Sequence, residues 1–295
     1  AMVTDRFCGR WSSTSVNSQS LKSPMSATGS DPLEKFDTLI AVDWSAASVP
    51  VKGENSIWLS QRSATGASLF NFPTRLAAEA FLSEQIKQSQ RDGTRLLMGF
   101  DFSFGYPEGF ARCLGHAGDK LAWRFTWETI SELVGDDARN QNNRFEVASM
   151  LNERLGFAEG PFWGCPARQA GPFLSPLRPK THFIAEKRRC EVPVPKSQPG
   201  WKLAYVGSVG SQVLMGIPVL ERLRQRHGVR VWPFETLPET GPAQVFVELY
   251  LTLWPTENHG GPCKDADQVQ TMTARWDRDP AALSGWLQAD YPASA

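Results

Sequence analysis

Leu39-Ile40-Ala41-Val42-Asp43 and Leu96-Leu97-Met98-Gly99-Phe100-Asp101 are two apolar runs that each end on an aspartate and then break. Trp44-Ser45-Ala46-Ala47-Ser48 follows the first, and Phe102-Ser103-Phe104-Gly105-Tyr106-Pro107 follows the second. Short, nearly continuous apolar runs bounded by turn residues read as strands buried on both faces, as in α/β sheets. An aspartate ending such a strand stands at a sheet edge, half out of the core. On neighbouring strands two such groups repel one another, and a bound cation is preferred to two bare charges. Asp and Ser after a strand also start turns and cap helices. The repetition of the pattern, and the acids downstream of it, favour a site.

Working outward, residues 36–43, 56–60 and 67–72 read as three strands. Residues 74–90 form an amphipathic helix stopped by Asp92-Gly93, and 95–101 return as a strand. The expected sheet is therefore mixed, with a crossover through the helix. Helices over 121–133 and 143–155 carry Trp123, Trp127, Phe145 and Leu151, which read as core. Residues 160–200 are rich in Pro and Gly and are expected to loop around a site. Beyond them a helix over 212–225, interrupted or restarted at Gly216-Ile217-Pro218, leads to strands over 229–232 and 243–250. Helices over 266–275 and 280–289 close the pattern.

Bulk properties exclude several classes. The chain has 295 residues, with Lys plus Arg and Asp plus Glu balanced at 31 each. A neutral protein has no global field for nucleic acid or membrane, which disfavours a long duplex as ligand. No apolar run approaches a membrane span, and the five cysteines are scattered without a CxxC pair. A reducing, cytoplasmic setting fits that usage. The serine-rich residues 1–35 lack a secretory apolar region and are expected to be a disordered tail or translated upstream sequence, with a transit peptide as the lesser reading. One domain is expected over 36–295, with a helical and loop-rich insertion at about 107–202.

That insertion holds eight basic residues over 168–202 against Glu186 and Glu191. Such a run is either a solvated face or a phosphate-binding rim, with Arg188, Arg189 and Lys202 as its candidates. Gly207-Ser208-Val209-Gly210-Ser211 precedes a helix and could offer Ser208 and Ser211 to an anion, though it lacks the lysine of a P-loop. Glu248 lies within an apolar strand, where an unpaired carboxylate is costly, so a ligand or ion-pair partner is expected for it. Glu235 follows a strand, and Asp265 and Asp267 open a helix, where acids also serve as caps. The four histidines have no metal-ligand spacing, no GxSxG elbow occurs, and Cys165 reads as a buried cysteine.

Together, Ala41-Val42-Asp43-Trp44-Ser45, Gly99-Phe100-Asp101-Phe102-Ser103-Phe104-Gly105, Gly207 to Gln212 with Gly216-Ile217-Pro218, Trp232-Pro233-Phe234-Glu235-Thr236, Val247-Glu248-Leu249-Tyr250 and Lys264-Asp265-Ala266-Asp267-Gln268-Val269 form an ordered set. In this set the chain resembles a bacterial family of predicted nucleases with a ribonuclease-H-like fold. Similar proteins tend to have Pro-Ser after the Glu-x-Tyr, where this chain has Leu251-Thr252. The resemblance implies a mixed central sheet flanked by helices, with acids on the first and fourth strands matching Asp43 and Asp101. It further implies an acid at Asp265 or Asp267, with Glu235 and Glu248 as acidic motifs between them. Some relatives carry a label of molybdopterin guanine dinucleotide synthesis.

The expectation is a Mg²⁺- or Mn²⁺-dependent hydrolase, nuclease or phosphodiesterase-like, with Asp43, Asp101, Glu248 and Asp265 as metal-binding and catalytic acids. Arg188, Arg189, Lys202, Ser208 and Ser211 would hold a nucleic acid or nucleotide-like substrate. A non-catalytic nucleotide- or cofactor-binding module and an ATPase or phosphotransferase of the actin-like relatives are the alternatives.

Overall fold

Parallel pairing of the two aspartate-terminated strands organises the sheet. The computed structural model describes residues 33–118, 120–158, 160–194 and 196–289. The tail expected over 1–35 lies outside the described residues up to 32. Leu33 and Phe36 are already packed in core.

Strand β1 (Thr38–Asp43) pairs parallel with β4 (Arg95–Phe100), placing Val42 opposite Phe100. β4 in turn pairs parallel with β6 (Ala243–Glu248), placing Phe100 opposite Glu248. On the other side of β1, β2 (Ile57–Ser63) and β3 (Gly66–Phe72) continue antiparallel. The short β5 (Arg230–Val231) flanks β6, so the six-stranded order is β3-β2-β1-β4-β6-β5. Three parallel strands thus deliver their C-terminal ends to one edge.

The two-residue period of the strands sorts side chains between two cores. Ile40, Val42, Met98, Phe100 and Phe246 face a layer built from α1 (Arg75–Asp92), α3 (Ala122–Leu133), α4 (Arg144–Leu155) and α5 (Gly210–His227). Leu39, Ala41, Leu97, Val245 and Val247 face α6 (Lys264–Arg278) and α7 (Pro280–Leu287). A short helix, α2 (Phe110–Cys113), precedes α3. The architecture is an α/β mixed sheet covered on both faces, as expected. No helix among the described residues is long and apolar enough to cross a membrane.

Local chemistry sets the boundaries. Thr74 caps α1 by accepting from the Ala77 amide at 3.2 Å, and Gly93 ends it at φ 65°, a conformation that favours glycine. Helix α5 runs unbroken through Pro218, contrary to the expected interruption. Its residues from Val213 to Leu220 are all buried, so packing holds the turn that proline leaves without a hydrogen bond. The loop-rich stretch after α4 is pinned from below. Buried Asn152 donates to Phe162 O (2.9 Å) and Phe173 O (2.6 Å) and accepts from Phe162 N (3.0 Å). Buried Trp201 donates from Nε1 to Ala185 O at 3.0 Å, which fixes the chain just before Arg188.

Helix α5 approaches the sheet edge closely at Gly216, where a Cβ would overlap the Phe102 ring. Gly216→Ala is therefore expected to destabilise by about 1–3 kcal/mol in urea unfolding. Gly285→Ala, in α7 with nothing near its missing Cβ, should be neutral or stabilising by up to about 1 kcal/mol. Equal effects of the two would refute the close approach.

Candidate active site

Asp43 is the last residue of β1, and Asp101 follows β4 with its amide donating to Val42 O at 3.0 Å. Both follow residues of the α6-facing core by the strand period, which directs them towards the start of α6, where Asp265 lies in the first turn. Leu251 N donates to Asp101 Oδ1 at 3.2 Å, and Asn55 N donates to Asp265 Oδ2 at 3.0 Å. Ser45 Oγ donates to Asn55 O at 2.8 Å, joining the turns after β1 and before β2. Among the described residues no Lys, Arg or His forms an ion pair with Asp43, Asp101 or Asp265.

The electrostatic consequence is large. Burial, then the charges of Asp101 and Asp265, push the Asp43 carboxyl well above the usual carboxylate range. Burial also raises Asp101, to about 6, with Glu248 and Asp265 adding to it and the Leu251 amide opposing. A carboxylate resists ionising where water is scarce and like charges are near.

Glu248 ends β6 with the side-chain sense of Phe246, towards the opposite layer. There Arg188 meets it with two prongs, Nη1 to Oε2 at 2.7 Å and Nη2 to Oε1 at 2.5 Å. Arg188 also donates from Nε to Glu191 Oε1 (2.8 Å) and from Nη2 to Ser103 Oγ (3.0 Å). Ser103 Oγ donates in turn to Glu191 Oε1 at 3.0 Å, and Phe104 N donates to Glu248 Oε2 at 2.9 Å. Burial works against the Arg188 charge, but Glu248 and Glu191 outweigh it and hold the guanidinium protonated more firmly than an ordinary arginine. The network ties the loop of the insertion to the turn that leaves Asp101.

The structure places Asp43, Asp101 and Asp265 within electrostatic reach of one another, with Glu248 adding to the field at Asp101 and Arg188 paired to Glu248. The other expected residues are placed differently. Arg189 is exposed and pairs with Glu108 at 2.7 Å. Lys202 donates to Val206 O at 2.6 Å and lies over the Trp163 ring. Ser208 donates its amide to Tyr205 O at 3.1 Å, and Ser211 Oγ donates to Leu203 O at 2.5 Å. Glu235 pairs with Arg124 and accepts from Val231 N at 2.9 Å. Asp267 accepts from His259 N (3.1 Å) and Gly261 N (2.9 Å), shaping the loop before α6. Cys165 is buried. Glu191 was not among the sequence candidates, although its spacing three residues after Arg188 is that of a local ion pair.

Among the described residues no group of three or more His, Cys, Asp or Glu side chains is gathered closely enough to hold a metal ion as it stands. Asp43, Asp101 and Asp265 fit a hard divalent cation in donor type and in charge, since all offer carboxylate oxygens and none has a cationic partner among the described residues. Comparison of the chain with family models, curated proteins and solved structures found no match.

Asp101 holds a proton in the folded state that the unfolded chain, with an ordinary carboxyl, releases near pH 4. Stability is thus fully present below that pH and falls as pH rises towards about 6. Asp101→Asn removes this fall. In urea unfolding with chelator present, the variant should exceed the parent at pH 7 by on the order of 2 kcal/mol, and not at pH 4. An unchanged difference across that range would contradict the raised Asp101.

Proposed function

We propose that this chain is a divalent-cation-dependent hydrolase of phosphate esters, using Mg²⁺ or Mn²⁺ on a ribonuclease-H-like sheet. The observation that carries the reading is a contrast in charge pairing. Buried Glu79, Glu191 and Glu221 each meet an arginine, as do Asp136 and Glu235. Asp43, Asp101 and Asp265 lie within electrostatic reach of one another without one among the described residues. A fold that pairs its fully buried acids with arginine and leaves these bare favours a mobile cation there. In support of the fold assignment, an antiparallel β1-β2-β3 meander adjoins the parallel β4, with acids ending β1 and following β4.

Asp43, Asp101 and Asp265 would hold the cation. When bound, it supplies Lewis-acid activation of water and charge neutralisation at the phosphoryl group. Asp101 would have to be ionised to hold a cation, so such binding would weaken as pH falls below about 6. Arg188, fixed by Glu248 and Glu191, anchors the Ser103-Phe104 turn and keeps Asp101 beside Asp43. It is a positioning residue, and its donors are already committed to protein partners.

A second reading, a non-catalytic nucleotide- or cofactor-binding module, is favoured by the carboxylates not being gathered around one point. Single- and double-stranded nucleic acids, dinucleotides and nucleoside triphosphates with Mg²⁺ or Mn²⁺ separate the two. Turnover is expected on at least one, reduced about a hundredfold or more in Asp43→Asn and Asp101→Asn, because several kcal/mol of charge stabilisation is lost. Turnover equal in the folded variants would sink the hydrolase assignment. Silence across the panel, with no cation bound in a direct titration, would favour the module.

A further inference from the structure

Arg144 opens α4 with its guanidinium over the Phe145 ring, 4.5 Å from the centroid. Its Nε donates to Ser211 Oγ at 3.0 Å, and Nη1 donates to Ser48 Oγ at 2.8 Å and Asn142 Oδ1 at 2.7 Å. Every one of these partners is neutral. Among the described residues no carboxylate forms an ion pair with Arg144, in contrast to Arg75, Arg188, Arg222 and Arg224. The charges that reach it are Arg75, of like sign, and Asp136, whose two oxygens are both taken by Arg75. Burial first, then Arg75, brings the Arg144 guanidinium down to about 10. A half-buried cation without a counter-ion is costly, and an incoming anion relieves it.

Two donors remain to receive that anion. Nη2 of Arg144 donates to nothing among the described residues and is not enclosed by protein. Exposed Ser48 accepts from Nη1, and its own hydroxyl proton has no acceptor among the described residues. These donors sit side by side and open to solvent.

Their position is tied to the carboxylates. Ser48 lies five residues beyond Asp43, so the two Cα atoms are at most about 18 Å apart. The connecting loop is held from beneath by buried Arg75, whose Nη1 donates to Ser45 O (3.1 Å) and Ala47 O (2.8 Å). Arg75 is itself locked to Asp136 and donates to Asn140 O at 3.1 Å. The seat and the acids thus keep a fixed offset, as a substrate with more than one phosphate requires.

We propose that Arg144 and Ser48 form an oxyanion seat that holds a non-reacting phosphate group of the substrate, one loop away from the carboxylates. The word substrate rests on the hydrolase reading; the binding of a phosphate group does not. The test is calorimetric titration of the full chain, in chelator so that hydrolysis is absent. The probes are inorganic phosphate, a 5′-phosphorylated dinucleotide and the same dinucleotide without its terminal phosphate. The phosphorylated dinucleotide is expected to bind more tightly than the dephosphorylated one. Arg144→Gln should erase that difference by roughly tenfold or more in affinity, and Ser48→Ala by several-fold. Ser48 is exposed, so its variant should keep the parent's melting temperature and remain informative if Arg144→Gln folds poorly. Undiminished binding in Ser48→Ala and in folded Arg144→Gln would overturn the seat. Binding of inorganic phosphate with exclusion of the dinucleotide would overturn its role as a substrate anchor. Loss of turnover in Asp43→Asn reports on the hydrolase reading separately.

Discussion

The register of β1 against β4 and of β4 against β6 is the constraint from which the rest of the molecule follows. Val42 lies opposite Phe100, and Phe100 opposite Glu248, so three acids reach one sheet edge within a residue of each other. The strands behind them are largely apolar and mostly buried, which makes the register expensive to shift: a slip of one residue would turn every side chain to the wrong layer. The acids cannot separate without breaking the sheet. Their burial and, after it, their mutual repulsion are therefore built into the fold, and both appear in the raised Asp43 and Asp101 carboxyls. The core, not the acids themselves, fixes their geometry.

Alternation along the strands then divides the acids between two environments. Glu248 takes the layer of Phe246, where the insertion supplies Arg188 and the pair is satisfied. Asp43 and Asp101 turn to the layer of α6, whose contribution is another acid, Asp265. On one side of the edge the acid is paired by protein, and on the other the acids have no cationic partner among the described residues. Arg188 gains its fixed place from Glu191 and from the Trp201 anchor on Ala185, so the insertion acts as a brace for the turn after β4.

Much of this was legible in the sequence. The long apolar runs at β1, β4 and β6, the capped α1 and the half-buried Glu248 in need of a partner all carry local signals, because an apolar strand leaves little choice of residue. The unbroken α5 was not legible. Proline at 218 signals a break locally, and only the surrounding core overrides it. Charge runs were misleading in the same way. The basic stretch over 168–202 suggests a rim, yet Arg178, Arg188 and Arg189 meet Glu186, Glu191, Glu248 and Glu108, some of them far away in the chain. Pairing across such distances is decided by the fold, and one-dimensional charge counts do not contain it. Arg144, at a helix start that also carries Glu146, gave no signal at all.

Arg75 shows how these levels meet. It sits at the first turn of α1, almost fully buried, and its guanidinium joins Asp136 to the backbone after β1. An arginine so placed satisfies carbonyls that no strand or helix can reach, and in doing so it stiffens the chain between Asp43 and Ser48. Its charge also forces a consequence on Arg144. Asp136 can neutralise only one guanidinium, and Arg75 holds both of its oxygens. The same pair that steadies the loop behind the carboxylates thus leaves the neighbouring cation without an anion of its own.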